Sequence, residues 1–378
     1  MKFISIICLI LTYSCNRANP SNPETKESHL GLLWSYFTAF SSAPLAEPLL
    51  DNNFVYITGG LGLHKVSNID GSRNWFTSTD GTASSLLNFR FIQDDENVIG
   101  LKPNYIVAFN KQNGQLSWEI NIPDSIYLYE YGLGARFNES AFFTGDHGYI
   151  IELDIKSGET KNLFKFPFRV RNINVFDKGD LLIPYEDIHS EEPITYTAVM
   201  GRWRPSTKEW IWQYRIDGNG TFTYRYPQID NNIVYSGFKD YASQAGYGFI
   251  AIDATTGQEI WKTIKTGLIT GFHVLTPDTI YASALNFLYA LDRHTGEVLW
   301  ETEPMGISES TRIHYKNGYV YWCHNNGIFI YDAKTGKQVH YQRHEFGCYI
   351  WTSTMAEDRL LVQTSTHLLA YELYNPEE

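Results

Sequence analysis

The sequence predicts an all-β protein, an eight-bladed β-propeller, and two observations carry this prediction. One is a motif of strand, tight turn and strand that recurs along the chain, and the other is the regular spacing of its copies. The clearest copy spans residues 288–300. Its first strand alternates large and small side chains, Asp292 opens the turn, and Gly296 closes it because glycine adopts positive φ without a steric penalty. Trp300 follows in the second strand, where its ring can fill a gap between packed sheets.

The spacing of the copies gives the architecture. The position of Trp300 is occupied in successive copies by Trp34, Trp75, Trp118, Asn162, Trp212, Trp261, Trp300 and His340, which are 39–50 residues apart. A period near 40 with about four short strands per unit is typical of a propeller. The eight positions therefore predict eight blades in a single domain over residues 32–378.

The two ends of the predicted ring complement each other. Residues 32–37 resemble the outer strand of a blade, with no inner strands before them, whereas residues 359–363 and 367–372 resemble a second and a third strand with no fourth after them. Pairing the N-terminal strand with the last blade would close the ring and leave no broken edge.

The N-terminal residues read as a targeting segment. Lys2 precedes a nine-residue apolar run, which is too short to span a bilayer and suits a signal peptide over residues 1–14. Cys15 follows a sequence that resembles a bacterial lipoprotein cleavage box, so we expect lipidation at Cys15 and a flexible polar tether over residues 15–31. Ordinary secretion with cleavage near Ser14 is the alternative.

Composition narrows the classes of partner. The net charge of −12 argues against nucleic acid, whose phosphates need a basic surface. After the N-terminal segment no stretch is apolar enough to cross a membrane, so we expect membrane contact only through the lipid anchor. In an oxidising compartment, Cys323 and Cys348 could form a disulfide between neighbouring blades, which we state as a hypothesis.

The repeat from Tyr289 to Trp300 resembles the pyrroloquinoline-quinone-type propeller repeat. Together with the lipoprotein box and eight closed blades, it is most similar to the lipoprotein subunit of the bacterial outer-membrane β-barrel assembly machinery and its relatives. This resemblance implies a scaffold that binds the periplasmic domain of a protein partner through its loops. It implies no particular binding residues, because the repeat specifies fold rather than function.

The interpretation that the protein is an enzyme is less favoured. Quinoprotein dehydrogenases share the repeat, but many stack their quinone on adjacent cysteines, and Cys323 and Cys348 are 25 residues apart. The sequence contains no catalytic, phosphate-binding or metal-ligand motif, so we expect no catalytic residue, cofactor or metal. The acidic segment around His189 matches no calcium loop, and we interpret it as a solvated loop.

Two groups of residues are candidate binding surfaces. The first group consists of aromatic and acidic residues. They come from two long loops, one in blade four and one in blade five, and from the link between blades two and three. Long loops on a rigid scaffold often serve recognition, although tolerated insertion is an equal alternative. Its members are Tyr127, Tyr129, Tyr131, Tyr185, Glu186, Asp187, Glu191, Glu192, Phe238, Asp240, Tyr241 and Tyr247.

The second group is basic and lies where innermost strands should begin. Arg90, Arg225, His273 and Arg312 could form a channel mouth that attracts anions. Strand alternation weakens this hypothesis, because the register sends Arg90 and Arg225 to one side of their sheets and His273 and Arg312 to the other.

Three functions remain open from the sequence. The first is a non-catalytic, monomeric lipoprotein scaffold for an envelope protein, in the outer membrane facing the periplasm, with a possible role in outer-membrane protein assembly. The second is a propeller that binds carbohydrate or another small ligand through its aromatic loops. The third, a quinoprotein-type oxidoreductase, is disfavoured.

Overall fold

The structure is a computed structural model. It describes residues 30–38, 46–60, 62–78, 91–102, 104–123, 126, 134–170, 172–191, 194–216, 220–222, 227–240, 247–265, 269–284, 287–303, 310–324, 327–344, 346 and 349–376. The predicted signal peptide, most of the tether and Cys15 lie outside these residues. Among these described residues, no helix has both the length and the hydropathy of a membrane-spanning segment.

The described strands form eight antiparallel sheets arranged as the blades of a propeller, which confirms the predicted fold class. Each blade runs from an innermost strand to an outermost one, and short alternating apolar segments separated by turns specify this arrangement.

Blades one to three use consecutive strands. Blade one contains β2 (Leu49–Asp51), β3 (Phe54–Gly59), β4 (Gly62–Ser67) and β5 (Arg73–Ser78). Blade two contains β6 (Ile92–Gln93), β7 (Asn97–Lys102), β8 (Tyr105–Asn110) and β9 (Leu116–Asn121). Blade three contains β10 (Ala135–Phe137), β11 (Ser140–Thr144), β12 (Tyr149–Asp154) and β13 (Thr160–Lys165), with a one-turn 3-10 helix at Asp146–Gly148.

In blades four and five the innermost strand is split into two short segments. Blade four contains β14 (Arg169–Val170), β15 (Asn174–Val175), β16 (Leu181–Glu191), β17 (Ile194–Arg204) and β18 (Glu209–Ile216). Blade five contains β19 (Gly220–Phe222), β20 (Gln228–Asp230), β21 (Ile233–Asp240), β22 (Tyr247–Asp253) and β23 (Glu259–Lys265). Both halves of each split strand pair with the second strand of the blade.

Blades six to eight complete the ring. Blade six contains β24 (Ile269–Leu275), β25 (Thr279–Ala284), β26 (Leu288–Asp292) and β27 (Val298–Glu301). Blade seven contains β28 (Ser310–Lys316), β29 (Tyr319–His324), β30 (Gly327–Asp332) and β31 (Gln338–Gln342). Blade eight contains β32 (Ile350–Met355), β33 (Arg359–Thr364), β34 (His367–Glu372) and the N-terminal strand β1 (Leu32–Phe37), which pairs antiparallel with β34.

Side chains from successive blades pack at each interface between neighbours, which we call a seam. The turn glycine of one blade lies against the Trp ring of the blade before it. A Cβ added to Gly296 would approach the Trp261 ring to 2.4 Å, and φ is 74° at this glycine. The Trp261 indole N–H also donates to the Arg293 carbonyl at 3.0 Å. The repeated motif is therefore a docking device between blades as well as a turn within each blade.

The described residues of the predicted long loops of blades four and five belong to strands, which corrects that expectation. Strands β16 and β17 continue as a hairpin to the pair Glu191 and Ile194. Phe238 and Asp240 belong to β21, and Tyr247 begins β22. The inserted residues extend the existing ladder because each added rung satisfies two more backbone groups.

Candidate functional site

The propeller has two faces that differ in the turns they carry. The lower face carries the turns between first and second strands and those between third and fourth strands. The upper face carries the turns between second and third strands, together with the links between blades. The candidate sites are a projecting hairpin on the upper face and a cavity in the channel that is lined mainly by residues near the lower face.

The blade-four hairpin extends above the rest of its sheet. Strand β18 stops pairing with β17 at Ala198, opposite Ile216, and β14 stops pairing with β16 at Glu186. The β16–β17 ladder nevertheless continues to Glu191. Beyond these points neither hairpin strand pairs with a third strand among the described residues, so both edges offer backbone groups to a partner.

Two residues at the base of this hairpin are buried, and they were wrongly assigned to an exposed loop. The Tyr185 hydroxyl accepts a hydrogen bond from Gln213 Nε2 at 2.6 Å, and burial raises the pKa of Tyr185 to about 12. Glu186 accepts a hydrogen bond from the Thr221 hydroxyl of blade five at 3.0 Å. Both side chains hold the hairpin in place and cannot contact a partner in this conformation.

The accessible part of the hairpin begins at Asp187. The Asp187 carboxylate forms an ion pair with Arg215 at 3.1 Å, with both side chains substantially exposed. Ile188 is 42% exposed, and His189 Nε2 lies 2.8 Å from the Thr197 hydroxyl. The sequence interpretation missed Ile188, although an isoleucine among acidic residues in a supposed loop was a visible signal.

The other predicted members of the upper-face group are only partly described. Phe238 is buried within blade five, so its assignment to a recognition surface was wrong. For the strand residues Glu191, Asp240 and Tyr247 the structure gives the backbone position alone. Tyr127, Tyr129, Tyr131, Glu192 and Tyr241 lie outside the described residues.

The four basic residues predicted at the channel do not act as one group. Arg312 forms an ion pair with Glu47, which comes from the chain just before blade one, and its guanidinium lies 4.7 Å from the Phe272 ring centre. His273 is buried, with its ring edge-on to Phe249. Arg90 and Arg225 lie outside the described residues. Glu47 compensates the charge of Arg312, and no pattern in the sequence predicts this partner, which is 265 residues away.

Neighbouring innermost strands are joined by side-chain hydrogen bonds around the channel. Asn174 Nδ2 donates to the Pro227 carbonyl at 2.6 Å, and Gln228 Nε2 donates to the His273 carbonyl at 2.9 Å. His314 Nε2 lies 2.9 Å from the Ser353 hydroxyl, and burial, followed by the charge of Arg312, lowers the pKa of His314 to about 3. These bonds fix the channel wall.

A cavity of about 770 Å³ lies in this channel, and most of its lining residues are near the lower-face turns, whereas Glu47 and Arg312 lie near the starts of innermost strands. It lies mainly beside blades four to six, where the split innermost strands leave the wall irregular. Its polar lining residues are Glu47, Asn174, Gln228, Asp230, Asn231, Thr276, Arg293 and Arg312, and its apolar ones are Val175, Pro227, Ile229, Leu275 and Pro277. We call this space the lower-face cavity.

A second ion pair fixes the rim of the lower-face cavity. Arg293 directly follows the turn aspartate of blade six and pairs with Asp230 of blade five. Arg293 also donates from Nε to the Tyr235 hydroxyl at 3.0 Å and from Nη1 to the Thr276 carbonyl at 2.8 Å. The guanidinium is therefore held rigidly.

The described residues do not fit a quinone–calcium site. No group of three His, Cys, Asp or Glu side chains in the described part of the chain could hold a metal ion. The two carboxylates of the lower-face cavity, Glu47 and Asp230, each face an arginine, which competes for the oxygens that calcium would need. The turn aspartates serve structure: Asp292 accepts from the Thr295 N–H at 2.8 Å and from the Thr295 hydroxyl at 3.0 Å.

The cysteine hypothesis remains a prediction. Cys323 is buried near the seam of blades seven and eight, where burial raises the pKa of its thiol to about 12. Cys348 lies outside the described residues.

Comparison with known proteins identifies the repeat. Residues 195–375 match a family model described as "Outer membrane protein assembly factor BamB". The predicted resemblance to pyrroloquinoline-quinone-type propeller repeats is thereby confirmed.

Solved structures agree on the fold and differ in function. BamB from Moraxella catarrhalis superposes with a TM-score of 0.68 at 15% identity, over 92% of this chain and 98% of that one. Quinohemoprotein alcohol dehydrogenase from Comamonas testosteroni gives a TM-score of 0.71 at 12% identity, over 94% of this chain and 78% of that one. At these identities both structures establish the fold alone.

One curated relative is an enzyme. Tetrathionate hydrolase from Acidithiobacillus ferrooxidans is 29% identical over 132 residues, which are 34% of this chain. The matched region spans only 24% of that enzyme's length.

Proposed function

We propose that this ring of repeats is a non-catalytic scaffold of the bacterial cell envelope, and that it binds a protein partner through its upper face. The observation that carries this proposal is the match of residues 195–375 to the model named for an outer-membrane protein assembly factor. We further propose anchoring through a lipid on Cys15, location at the outer membrane facing the periplasm, and a role in outer-membrane protein assembly.

The chemistry of the described residues supports a binding role. The charged side chains of the lower-face cavity are engaged in ion pairs with each other, and the turn aspartates are engaged by backbone N–H groups. A general acid, base or nucleophile needs a titratable group free to exchange a proton with a substrate. The blade-four hairpin, in contrast, offers unpaired strand edges and the exposed Ile188.

Co-purification tests the proposal. The tagged protein, isolated from detergent-solubilised envelopes of its own cells, should retain an envelope protein in near-equal amount. Ile188→Asp should abolish this retention, because it places a charge at the centre of the proposed contact. Ile260→Asp is the matched control, since Ile260 is 45% exposed on the outer strand of blade five, whereas Ile188 is 42% exposed on the hairpin.

Three outcomes would contradict the scaffold proposal. One is the absence of any stoichiometric partner, and another is equal loss of the partner in both variants. The third is turnover by the protein alone, such as consumption of tetrathionate or dye reduction after addition of quinone and calcium.

The lipid anchor has its own test. Cys15→Ser should move the protein from the membrane fraction to the soluble periplasmic fraction and abolish labelling by a radioactive fatty acid. A Cys15→Ser protein that stays in the membrane fraction would contradict anchoring at this residue.

A further inference from the structure

The lower-face cavity carries an inference independent of partner docking on the upper face. We propose that it binds a neutral ligand rich in hydroxyl groups, and that the chemical class is a saccharide. The volume of about 770 Å³ lies within the range of about 300–1,000 Å³ that is usual for small-molecule sites.

The hydrogen-bond donors of the cavity wall are only partly in use, because an amide carries two N–H groups and a guanidinium carries five. Each lining side chain that carries an N–H or O–H group donates at least one hydrogen bond within the protein. The donors and acceptors are Asn174 to Pro227, Gln228 to His273, Asn231 to Asp230, Thr276 to Thr279, Arg293 to Asp230 and Arg312 to Glu47.

Acceptor oxygens also retain capacity. A carboxylate can accept about four hydrogen bonds. Asp230 Oδ2 accepts from Arg293 and Asn231, and the Asp230 side chain is 44% exposed at the rim. Glu47 is 23% exposed on the opposite side. The side-chain carbonyl of Gln228 adds a further acceptor, so the wall favours a ligand whose groups both donate and accept hydrogen bonds.

Charged ligands match this wall poorly. An anion would have to compete with Asp230 and Glu47 for the two arginines, and a cation would have to compete with the arginines for the two carboxylates. Breaking a partly buried ion pair leaves one charge uncompensated, which is costly. A neutral ligand can hydrogen-bond to the remaining lone pairs without separating either pair.

Among neutral ligands, hydroxyl groups fit better than peptide groups. A hydroxyl donates and accepts at one oxygen, so it can pair with an N–H and an acceptor that lie side by side, as at Asn231 and Asp230. The N–H and C=O of a trans peptide group point in opposite directions, so a single peptide group cannot use such a pair. The apolar patches at Val175, Ile229 and Leu275 suit the carbon faces of sugar rings.

Saturation-transfer NMR on the full propeller tests this inference. The probes are glucose, N-acetylglucosamine, maltotriose and chitotriose at millimolar concentration, with inorganic phosphate, spermidine and an uncharged Gly-Ser peptide as separate arms. We expect saturable binding of at least one saccharide and of none of the other probes. Absence of binding by all four saccharides would overturn the proposal, as would binding of phosphate, spermidine or the peptide in their place.

Two variants test whether the saccharide binds in the lower-face cavity. Asn231→Gly removes a rim amide in the first turn of blade five and should weaken saccharide binding about fivefold, the value of one hydrogen bond. Asn317→Gly is the matched control, because Asn317 occupies the same turn position in blade seven and does not line the cavity. φ is 47° at Asn231 and 52° at Asn317, so glycine is tolerated at both. Equal effects of the two changes would refute binding in this cavity.

Discussion

The seams between blades are of two kinds, and comparing them shows where the repeated Trp–Gly contact is replaced by other packing. Six seams use a Trp ring against the turn glycine of the next blade. The pairs are Trp34–Gly71, Trp75–Gly114, Trp118–Gly158, Trp212–Gly257, Trp261–Gly296 and Trp300–Gly336. The seams between blades three and four and between blades seven and eight lack this pair, and they lie on opposite sides of the ring.

Each exceptional seam has its own packing. Between blades three and four, Phe166 lies edge-on to Trp203 with ring centres 5.1 Å apart, and Phe168 stacks on Tyr185 at 3.6 Å. This seam lies beside the blade that carries the projecting hairpin, so the repeat is lost where the proposed partner surface begins.

Between blades seven and eight, the segment before β1 and the end of β34 replace a turn. The Gly31 carbonyl accepts from the Glu372 N–H at 2.9 Å, as the residue after the turn glycine does in other blades. Leu30 thus occupies the glycine position, and its N–H donates to Gln342 Oε1 at 3.0 Å. His340 lies in the Trp place, 5.7 Å from the Tyr374 ring. A split turn thus performs the docking that an intact turn performs elsewhere.

The largest expected effect is the loss of stability when the Trp ring is removed from a seam that contains one. Trp261→Ala should lower the free energy of unfolding by about 3–5 kcal/mol, since it empties a buried site and removes the hydrogen bond to Arg293. Asn162→Ala, at the same place in blade three, is the control and should cost less than about 0.5 kcal/mol because Asn162 is exposed. Urea denaturation measures both values, and equal losses would contradict two kinds of seam.

Acid should weaken the seam between blades six and seven. Burial lowers the pKa of His324 from 6.5 to about 4. His324 therefore gains a proton below pH 6.5 in the unfolded chain, but only below about pH 4 in the folded chain. The contribution of neutral His324 to the free energy of unfolding is therefore fully present above pH 6.5. It is lost as the pH falls from 6.5 to about 4, by roughly 3 kcal/mol in total. Urea denaturation of His324→Phe should show a shallower decline, and identical pH profiles would contradict this assignment.

Glycine substitutions separate backbone strain from docking. Gly296→Ala should cost about 2–3 kcal/mol, because it combines positive φ with a Cβ 2.4 Å from the Trp261 ring. Gly318→Ala has φ of 82° with no atom within 4 Å of the added Cβ, and should cost about 1 kcal/mol. Thermal and urea unfolding compare the two, and equal costs would mean that the ring contact contributes nothing.

The smallest expected effect concerns the split turn. Gln342→Leu should cost about 1–2 kcal/mol, because it leaves the buried Leu30 N–H without its acceptor. Thr263→Val, at the equivalent place in blade five, removes the hydroxyl that donates to the Gly296 carbonyl at 2.5 Å and should cost about 1 kcal/mol. If Gln342→Leu has no effect on urea unfolding, the segment before β1 and the end of β34 do not close this seam as described.

The sequence predicted what is periodic. The positions of Trp75, Trp118 and Trp300, the turn glycines and the eight-unit spacing follow from residues close together in the chain, so the fold class could be predicted. That Trp261 docks on Gly296 of the next blade could not, because periodicity shows neither the orientation of a ring nor its neighbour.

The candidate sites were harder to predict because they depend on local departures from the repeat. Tyr185 looked like a loop aromatic, and only the extended ladder shows that it is buried. The Glu47–Arg312 pair joins residues that are 265 positions apart in the sequence. The lower-face cavity arises where the innermost strands of blades four and five are split, and strand alternation gives no sign of this break.

The most direct test of the scaffold account is site-specific photocrosslinking in intact cells. A photoreactive amino acid at position 188, on the blade-four hairpin, should capture one envelope protein, whereas the same amino acid at position 260, on the rim of blade five, should capture none. Capture at position 188 alone is the result predicted. A protein adduct at 260 with none at 188, or no adduct at either position, would contradict a partner surface on this hairpin.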